Sequence, residues 1–338
     1  MKKNKIAVTG IGGGVGQSII KGLNQTDYEI VGMDADSLAT GLYSVPIAYK
    51  IPRVSDPSYI KVLLQICTQQ ECKLLFPGLD TELSVLSKNV ELFKKVGTMV
   101  VVSNPKVIEI ADNKFLTYKE LFRNNIPVPK TFILSDYLSN TRDIKFPAVI
   151  KPLINGSRSF GVSTIYSLRE LEWLISKKDF ITEDYVIQEM LEGDEYTCGT
   201  VNMDGKCWGV IVMKRILRNG DTYKCFTHYN KDIENTVFKI MDVLKPFGAC
   251  NVQLRLQNGI PIVFEINARC SGTTGARALA GFNEPKMIAD YLLYGKKPNF
   301  KIKKLSILRF WQELLVENEQ IDQLEKEGKL ANKSFVKI

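Results

Sequence analysis

The stretch Val263-Phe-Glu-Ile-Asn-Ala-Arg269 alternates apolar and polar side chains with the two-residue period of a strand, so Glu265, Asn267 and Arg269 share one face. A carboxylate and an amide oxygen side by side are hard donors suited to Mg2+, and the arginine stands close by. The strand is otherwise strongly apolar and runs into Cys270-Ser-Gly-Thr-Thr-Gly275, which makes a merely solvated polar face the weaker explanation. Gln253, in Asn251-Val-Gln-Leu-Arg255 on the preceding strand, completes the donor set if the intervening turn has the right length. A two-residue turn at Asn258-Gly259 puts Gln253 on the face opposite Glu265. A three-residue turn over 257–259, with Gly259 left-handed, puts the two on the same face, and this form is predicted.

Upstream, Phe146-Pro-Ala-Val-Ile-Lys-Pro152 is a buried strand that delivers Lys151 to its end, followed by Asn155-Gly-Ser-Arg-Ser-Phe-Gly161. A lysine leaving a strand into such a turn can give its charge to phosphate while backbone N–H groups fold over it. The alternative is an ordinary hairpin turn. Strands are expected at 147–151, 162–166, 185–190, 195–203, 207–214, 248–256 and 261–267, after a helix from near Asn113 to Asn124.

The beginning of the chain has a different rhythm. A strand over 5–9, a glycine loop, a helix over 15–23 and a strand over 29–33 form a βαβ opening. It continues with a strand at 74–76, a helix at 81–95 and a strand at 99–102, so a parallel sheet with helices on its faces is expected for residues 1–105. Gly10-Ile-Gly-Gly-Gly-Val-Gly16 sits where a dinucleotide fingerprint sits, with Asp34 at the end of the second strand. An NAD-dependent oxidoreductase or epimerase is therefore the rival reading, against a glycine-rich structural turn. Asp80 and Glu82, after the strand at 74–76, are candidates for an amine contact or for helix capping. In the tail, 305–316 is read as strand and the segment after Glu319 as helix.

Composition narrows the chemistry. The 338 residues carry a net charge of +8, suited to anionic small molecules, with lysines too dispersed for a nucleic-acid face. His228 is the single histidine, which excludes mechanisms built on several histidines, and seven cysteines without paired CxxC spacing point to neither a disulfide framework nor zinc. The absence of a signal-like N-terminal run and of any apolar run of roughly 18 residues points to a cytoplasmic protein without a membrane segment.

Taken in order, Ala111-Asp-Asn-Lys114, Ile126-Pro-Val-Pro129, the Lys151 strand, the glycine loop, Ile187-Gln-Glu-Met-Leu-Glu-Gly-Asp-Glu-Tyr196 and Phe264-Glu-Ile-Asn-Ala-Arg269 resemble the ATP-grasp superfamily. The likeness is to a single ATP-binding half of the carbamoyl-phosphate synthase large subunit. The resemblance implies an α/β chain, with a Rossmann-like pre-ATP-grasp domain at 1–107 and a two-subdomain α+β ATP-grasp fold. That fold is split into a small lid subdomain at 108–187 and a C-terminal subdomain at 188–338. It implies Lys114 and Lys151 on ATP phosphates, the loop with Gly156, Ser157 and Gly161 as lid, and the backbone of Gln188 and Met190 against adenine. It also implies Glu195 on the ribose, and Gln253, Glu265 and Asn267 on two Mg2+ ions that Mn2+ can replace. Arg269 and Lys151 become the catalytic cations. Arg215, Ser271, Gly272 and Thr273 are candidates for a carboxylate substrate, with Arg277 either a further one or a surface helix residue. The implied activity is an ADP-forming carboxylate-amine ligase acting on small molecules, without nucleic-acid or membrane partners, and a homodimer stays open. A nucleotide-binding relative without turnover is the remaining alternative; the intact phosphate and metal set speaks against it.

Overall fold

The computed structural model describes residues 3–141, 143–156, 160–332 and 335–338. The first sheet is built from β1 (Lys5–Thr9), β2 (Glu29–Asp34), β3 (Ile47–Lys50), β4 (Cys72–Phe76) and β5 (Met99–Val100) in the order β3-β2-β1-β4-β5, all parallel. The strand Lys329–Ala331 closes its outer edge antiparallel to β3. Helices α1 (Gly14–Leu23), α2 (Tyr59–Gln70) and α3 (Asp80–Lys88) connect these strands. The expected 81–95 helix is two helices, because the chain leaves helical geometry at Asn89 before α4 (Val90–Lys95). The strand β3, helix α2 and the outer strand had no counterpart in the sequence reading.

The glycine loop closes on itself. Gly10 has φ +60°, and a Cβ on Gly16 would come within 2.3 Å of the Gly10 carbonyl oxygen, so α1 starts against the strand exit only with glycine there. The Asp34 carboxylate accepts the Gly12 N–H at 2.7 Å.

After α5 (Pro105–Asp112) and α6 (Lys114–Arg123), a four-stranded antiparallel sheet forms from β6 (Thr131–Ile133), β7 (Ala148–Pro152), β8 (Ser163–Ile165) and β9 (Tyr185–Glu189), in the order β6-β9-β7-β8. It has its own core around Ile150, Leu171 and Ile187. The third sheet is antiparallel throughout. Its strands β10 (Asp194–Met203), β11 (Lys206–Arg218), β12 (Asp221–Thr227), β13 (Gly248–Gln257), β14 (Ile260–Asn267) and β15 (Ser306–Leu308) lie in the order β14-β13-β10-β11-β12-β15. Of the strand expected at 305–316 only β15 exists, while the helix expected after Glu319 spans Asn318–Glu327. The first and third sheets share both large cores: Ala7 and Val31 cluster with Tyr196 and Val252, and Ile6 and Val8 with Met203 and Ile288. Among the described residues no helix is long and apolar enough to cross a membrane.

Candidate active site

One face of the third sheet carries a continuous polar row. Strand pairing sets Glu195 opposite Arg255, Thr197 opposite Gln253, Gln253 opposite Glu265 and Asn251 opposite Asn267. The side chains join across the strands. Arg215 donates to Glu195 (Nε–Oε1 2.8 Å) and to Gln253 (Nη2–Oε1 2.6 Å). Gln253 and Asn267 both donate to Glu265 Oε1, at 3.2 and 2.8 Å. Arg269 reaches back to Asn267 Oδ1 at 3.4 Å.

This row depends on a detail that corrects the turn expected above. Gln257 pairs directly with Ile260, so the turn is the two-residue Asn258-Gly259 form, with φ +52° and +80°. By strict alternation Gln253 should then face away from Glu265. It does not, because the register shifts between Gln253 and Leu254: Leu254 pairs with Val263 and Gln253 with Glu265, leaving Phe264 as an extra residue on β14. The bulge reverses the parity that the tight turn imposes. It also serves the small lobe, since the Phe264 carbonyl accepts the Lys151 Nζ at 3.1 Å.

Lys151 is only 7% exposed. Burial drives its ammonium down to about 8, against an opposing pull from the Glu265 carboxylate and with help from the Lys114 charge. Lys114, the first residue of α6, donates to the carbonyls of Asp112 (3.2 Å) and Asn155 and so touches the base of the glycine loop. The Asp112 carboxylate accepts the Asn155 N–H at 3.0 Å. Gly156 and Gly161 have φ +84° and +71°; Ser157 lies outside the described residues.

A cavity of about 490 Å3 joins these parts. It is lined by Lys114 and Gly156 from the small-lobe side, by Arg215, Gln253, Glu265, Asn267 and Arg269 from the row, and by Ser271, Gly272 and Thr273 beyond it. The N-terminal ends of α1 and α3 border the same space. Lys151, Gly161, Gln188, Met190 and Glu195 are not among its lining residues. Glu195 has both carboxylate oxygens held, by Arg215 and by Arg255 (Nη2–Oε2 2.8 Å). Gln188 buries its side chain against the Thr131 hydroxyl (2.8 Å), leaving only main chain for a ligand, and Met190 is exposed just past β9.

Arg269 is clamped by Asp80 through two 2.5 Å hydrogen bonds from Nε and Nη2. Burial raises the Asp80 carboxyl, but the Arg269 and Lys114 charges outweigh it and hold it below the usual carboxylate range. Glu82 caps instead: its Oε1 accepts the Gly78 and Leu79 N–H groups and the Thr9 hydroxyl, and Oε2 the Tyr59 hydroxyl. Arg277 is neither at the surface nor in the cavity; it is wholly buried against Glu284. Thr197, Asn251 and Arg309 also line the cavity and were not anticipated. Alternation from Glu195 and Gln253 marks the first two; nothing in the sequence marks Arg309, which arrives after β15.

The residue types suit a hard divalent cation, one carboxylate with two amides on adjacent strands, but the amide NH2 groups face Glu265 and their oxygens accept from Arg215 and Arg269, so ligation by both amides requires them to turn over.

Two family descriptions match the chain: "PylC-like, N-terminal domain" over residues 6–101 and "ATP-grasp in the biosynthetic pathway with Ter operon" over 182–310. The carbamoyl phosphate synthase large chain of Thermotoga petrophila is 24% identical over 284 residues, 74% of this chain but 25% of that protein. The chain thus spans about a quarter of the length of such relatives. A D-alanine–D-alanine ligase of Methylacidiphilum infernorum is 30% identical over 168 residues, 44% of this chain and 53% of its own. N5-carboxyaminoimidazole synthetase from Staphylococcus aureus, solved with ADP, superposes with a TM-score of 0.72 over 97% of this chain and 86% of that one, at 15% identity.

Proposed function

Starting from a chain that belongs to the ATP-grasp superfamily, we propose that it transfers the γ-phosphoryl group of Mg-ATP to a carboxylate, and that an amine then attacks the acyl phosphate, releasing ADP and phosphate. The observation that carries this reading is the unbroken row from Arg215 through Gln253, Glu265 and Asn267 to Arg269, facing one cavity with Lys114.

Lys114 and Lys151 neutralise phosphate charge, with the loop through Gly156, Ser157 and Gly161 closing over it. The main chain at Gln188 and Met190 borders adenine, and Glu195 meets the ribose by exchanging one of its arginine partners. Glu265, Asn267 and Gln253 hold the metal, one ion or two, Mg2+ or Mn2+, which when bound offsets charge on the phosphates. Arg269, kept oriented by Asp80, faces the oxygens that gain charge as the phosphoryl group moves. Ser271, Gly272, Thr273 and Arg215 border the carboxylate. Gly272 is open beyond its Cα, so the space there is available to substrate.

We also propose a three-part division close to 1–107, 108–187 and 188–338. Position 107 lies in α5 and 187 in β9, so we set the boundaries at the nearest element ends, before Pro105 and after Glu189. The partners are then small-molecule carboxylates and amines in the cytoplasm, with a second copy of the chain admitted as a homodimer.

The deciding assay measures ADP and phosphate release with Mg-ATP against pools of carboxylates and amines. Release that requires both pools is expected. AMP and pyrophosphate as products, or NAD binding without ATP binding, overturns the proposal.

A further inference from the structure

Arg277, in the helix Thr274–Leu279, and Glu284, at the start of the helix Glu284–Tyr294, form an ion pair with both side chains 0% exposed (Nη1–Oε1 2.8 Å). Such a pair is hard to explain as a stabiliser. Two apolar side chains of similar volume fill a core without the desolvation cost, and this pair is not even fully satisfied. Arg277 Nε and Glu284 Oε2 have no hydrogen-bond partner among the described residues.

The other arm of the guanidinium points to a purpose. Arg277 Nη2 donates to Asn251 Oδ1 at 2.5 Å and to the Thr197 hydroxyl at 2.9 Å, and that hydroxyl lies 2.7 Å from the same Asn251 oxygen. A guanidinium can only donate, so the contact settles which end of the amide faces it. The carbonyl oxygen of Asn251 faces the guanidinium, which leaves its NH2 group out of that contact on a residue that lines the cavity together with Thr197. Asn251 is 2% exposed and pairs across the strands with Asn267 of the metal row. The guanidinium reaches this position only because Gly199 lies beneath it: a Cβ there would sit 2.3 Å from Nη1.

We propose that the Arg277–Glu284 pair is a positioning device: it locks the Asn251 amide so that Nδ2 donates to an oxygen of the substrate carboxylate as that group becomes an acyl phosphate. Arg277 touches no substrate itself; it acts through Asn251, with Glu284 balancing its charge. The proposal rests on the ligase reading above.

The test uses the full chain with Mg-ADP and acetylphosphonate, a hydrolysis-resistant probe that keeps the carbonyl and phosphoryl oxygens of an acyl phosphate without its bridging oxygen, and follows the affinity for acetylphosphonate relative to that for Mg-ADP by titration calorimetry. Three proteins are compared with wild type: Asn251→Ala, the pair Arg277→Met with Glu284→Met, and all three changes together. Because the lost hydrogen bond is to a charged group, each of the first two should weaken acetylphosphonate by roughly tenfold or more relative to Mg-ADP. The combination should lose no more than either alone, since both remove the same interaction. Arg277→Lys preserves the charge beside Glu284 but cannot span Asn251 and Thr197 together. It should show the same selective loss, and it replaces the methionine pair if that protein fails to fold. Additive losses, or equal losses for both ligands, overturn the role of Arg277 while leaving the ligase reading in place. Wild type that binds neither Mg-ADP nor acetylphosphonate overturns both.

Discussion

Lys151 and Glu265 show how far single residues decide this site. Glu265 Oε1 is the point on which Gln253 and Asn267 converge, yet the side chain is only partly buried and no core depends on it. Glu265→Ala should therefore reduce ADP formation by a factor of about 1,000 or more, with circular dichroism and melting behaviour close to wild type. Retained ADP formation would contradict the metal role. Lys151 gives a pH test. Its folded value of about 8 lies below the ordinary 10.5, so between these two the unfolded chain binds more protons and stability rises with pH. Below pH 8 the lysine is charged in both states and the cost of burying it is fully present. On the proposed role of Lys151 activity runs the other way, because the ammonium is the form that offsets phosphate charge. Nucleotide binding at pH 8 should take up protons, seen calorimetrically as a dependence on buffer ionisation enthalpy, and Lys151→Met should abolish that dependence.

At the scale of elements, the hairpin of β13 and β14 holds both what the sequence reveals and what it conceals. Alternation in Val263–Arg269 was enough to put Glu265 and Asn267 on one face, and Asn258-Gly259 is a strong two-residue turn signal. The bulge at Phe264 has no such signature, since nothing distinguishes that residue from its apolar neighbours, and so the right pairing was attached to the wrong turn. The long antiparallel strands were legible from their period; α2 and β3 were not identified, and neither was the partnership of Arg215 with Glu195. Register between β10 and β11 is a tertiary choice that composition does not reveal. The bulge can be tested directly. Deleting Phe264 alone removes the extra residue and keeps Gln253 opposite Glu265, whereas deleting Val263 and Phe264 together sets Glu265 opposite Leu254 and should turn Glu265 and Asn267 off the proposed metal face, so that the double deletion abolishes ADP formation. Inserting one glycine into the Asn258-Gly259 turn leaves the bulge in place and should retain turnover within about threefold. Equal activity in the double deletion and the insertion would refute this account of the register.

Across the whole molecule, Asp80 and Arg269 clip the first sheet's domain to the strand exit of the third. Asp80 is held below the usual carboxylate range, so what it contributes is present above the ordinary carboxylate pKa and fades as acid protonates it. Asp80→Asn should lower the melting temperature by a few degrees at pH 7, with the gap to wild type closing below about pH 4. An equal gap at pH 3 would show that the charge is not what matters. The clip works alongside two cores that the first and third sheets share, whereas the small lobe around Ile150 and Ile187 keeps a core to itself. The residues proposed for the carboxylate and the metal stand on the part that shares these cores, and Lys151 and Gly156 stand on the lobe that keeps its own. On the proposed reading the acceptor's seat then belongs to the shared cores and not to the small lobe, so substitutions that loosen the Ile150–Ile187 core should alter how fast ATP arrives without altering which acid is chosen.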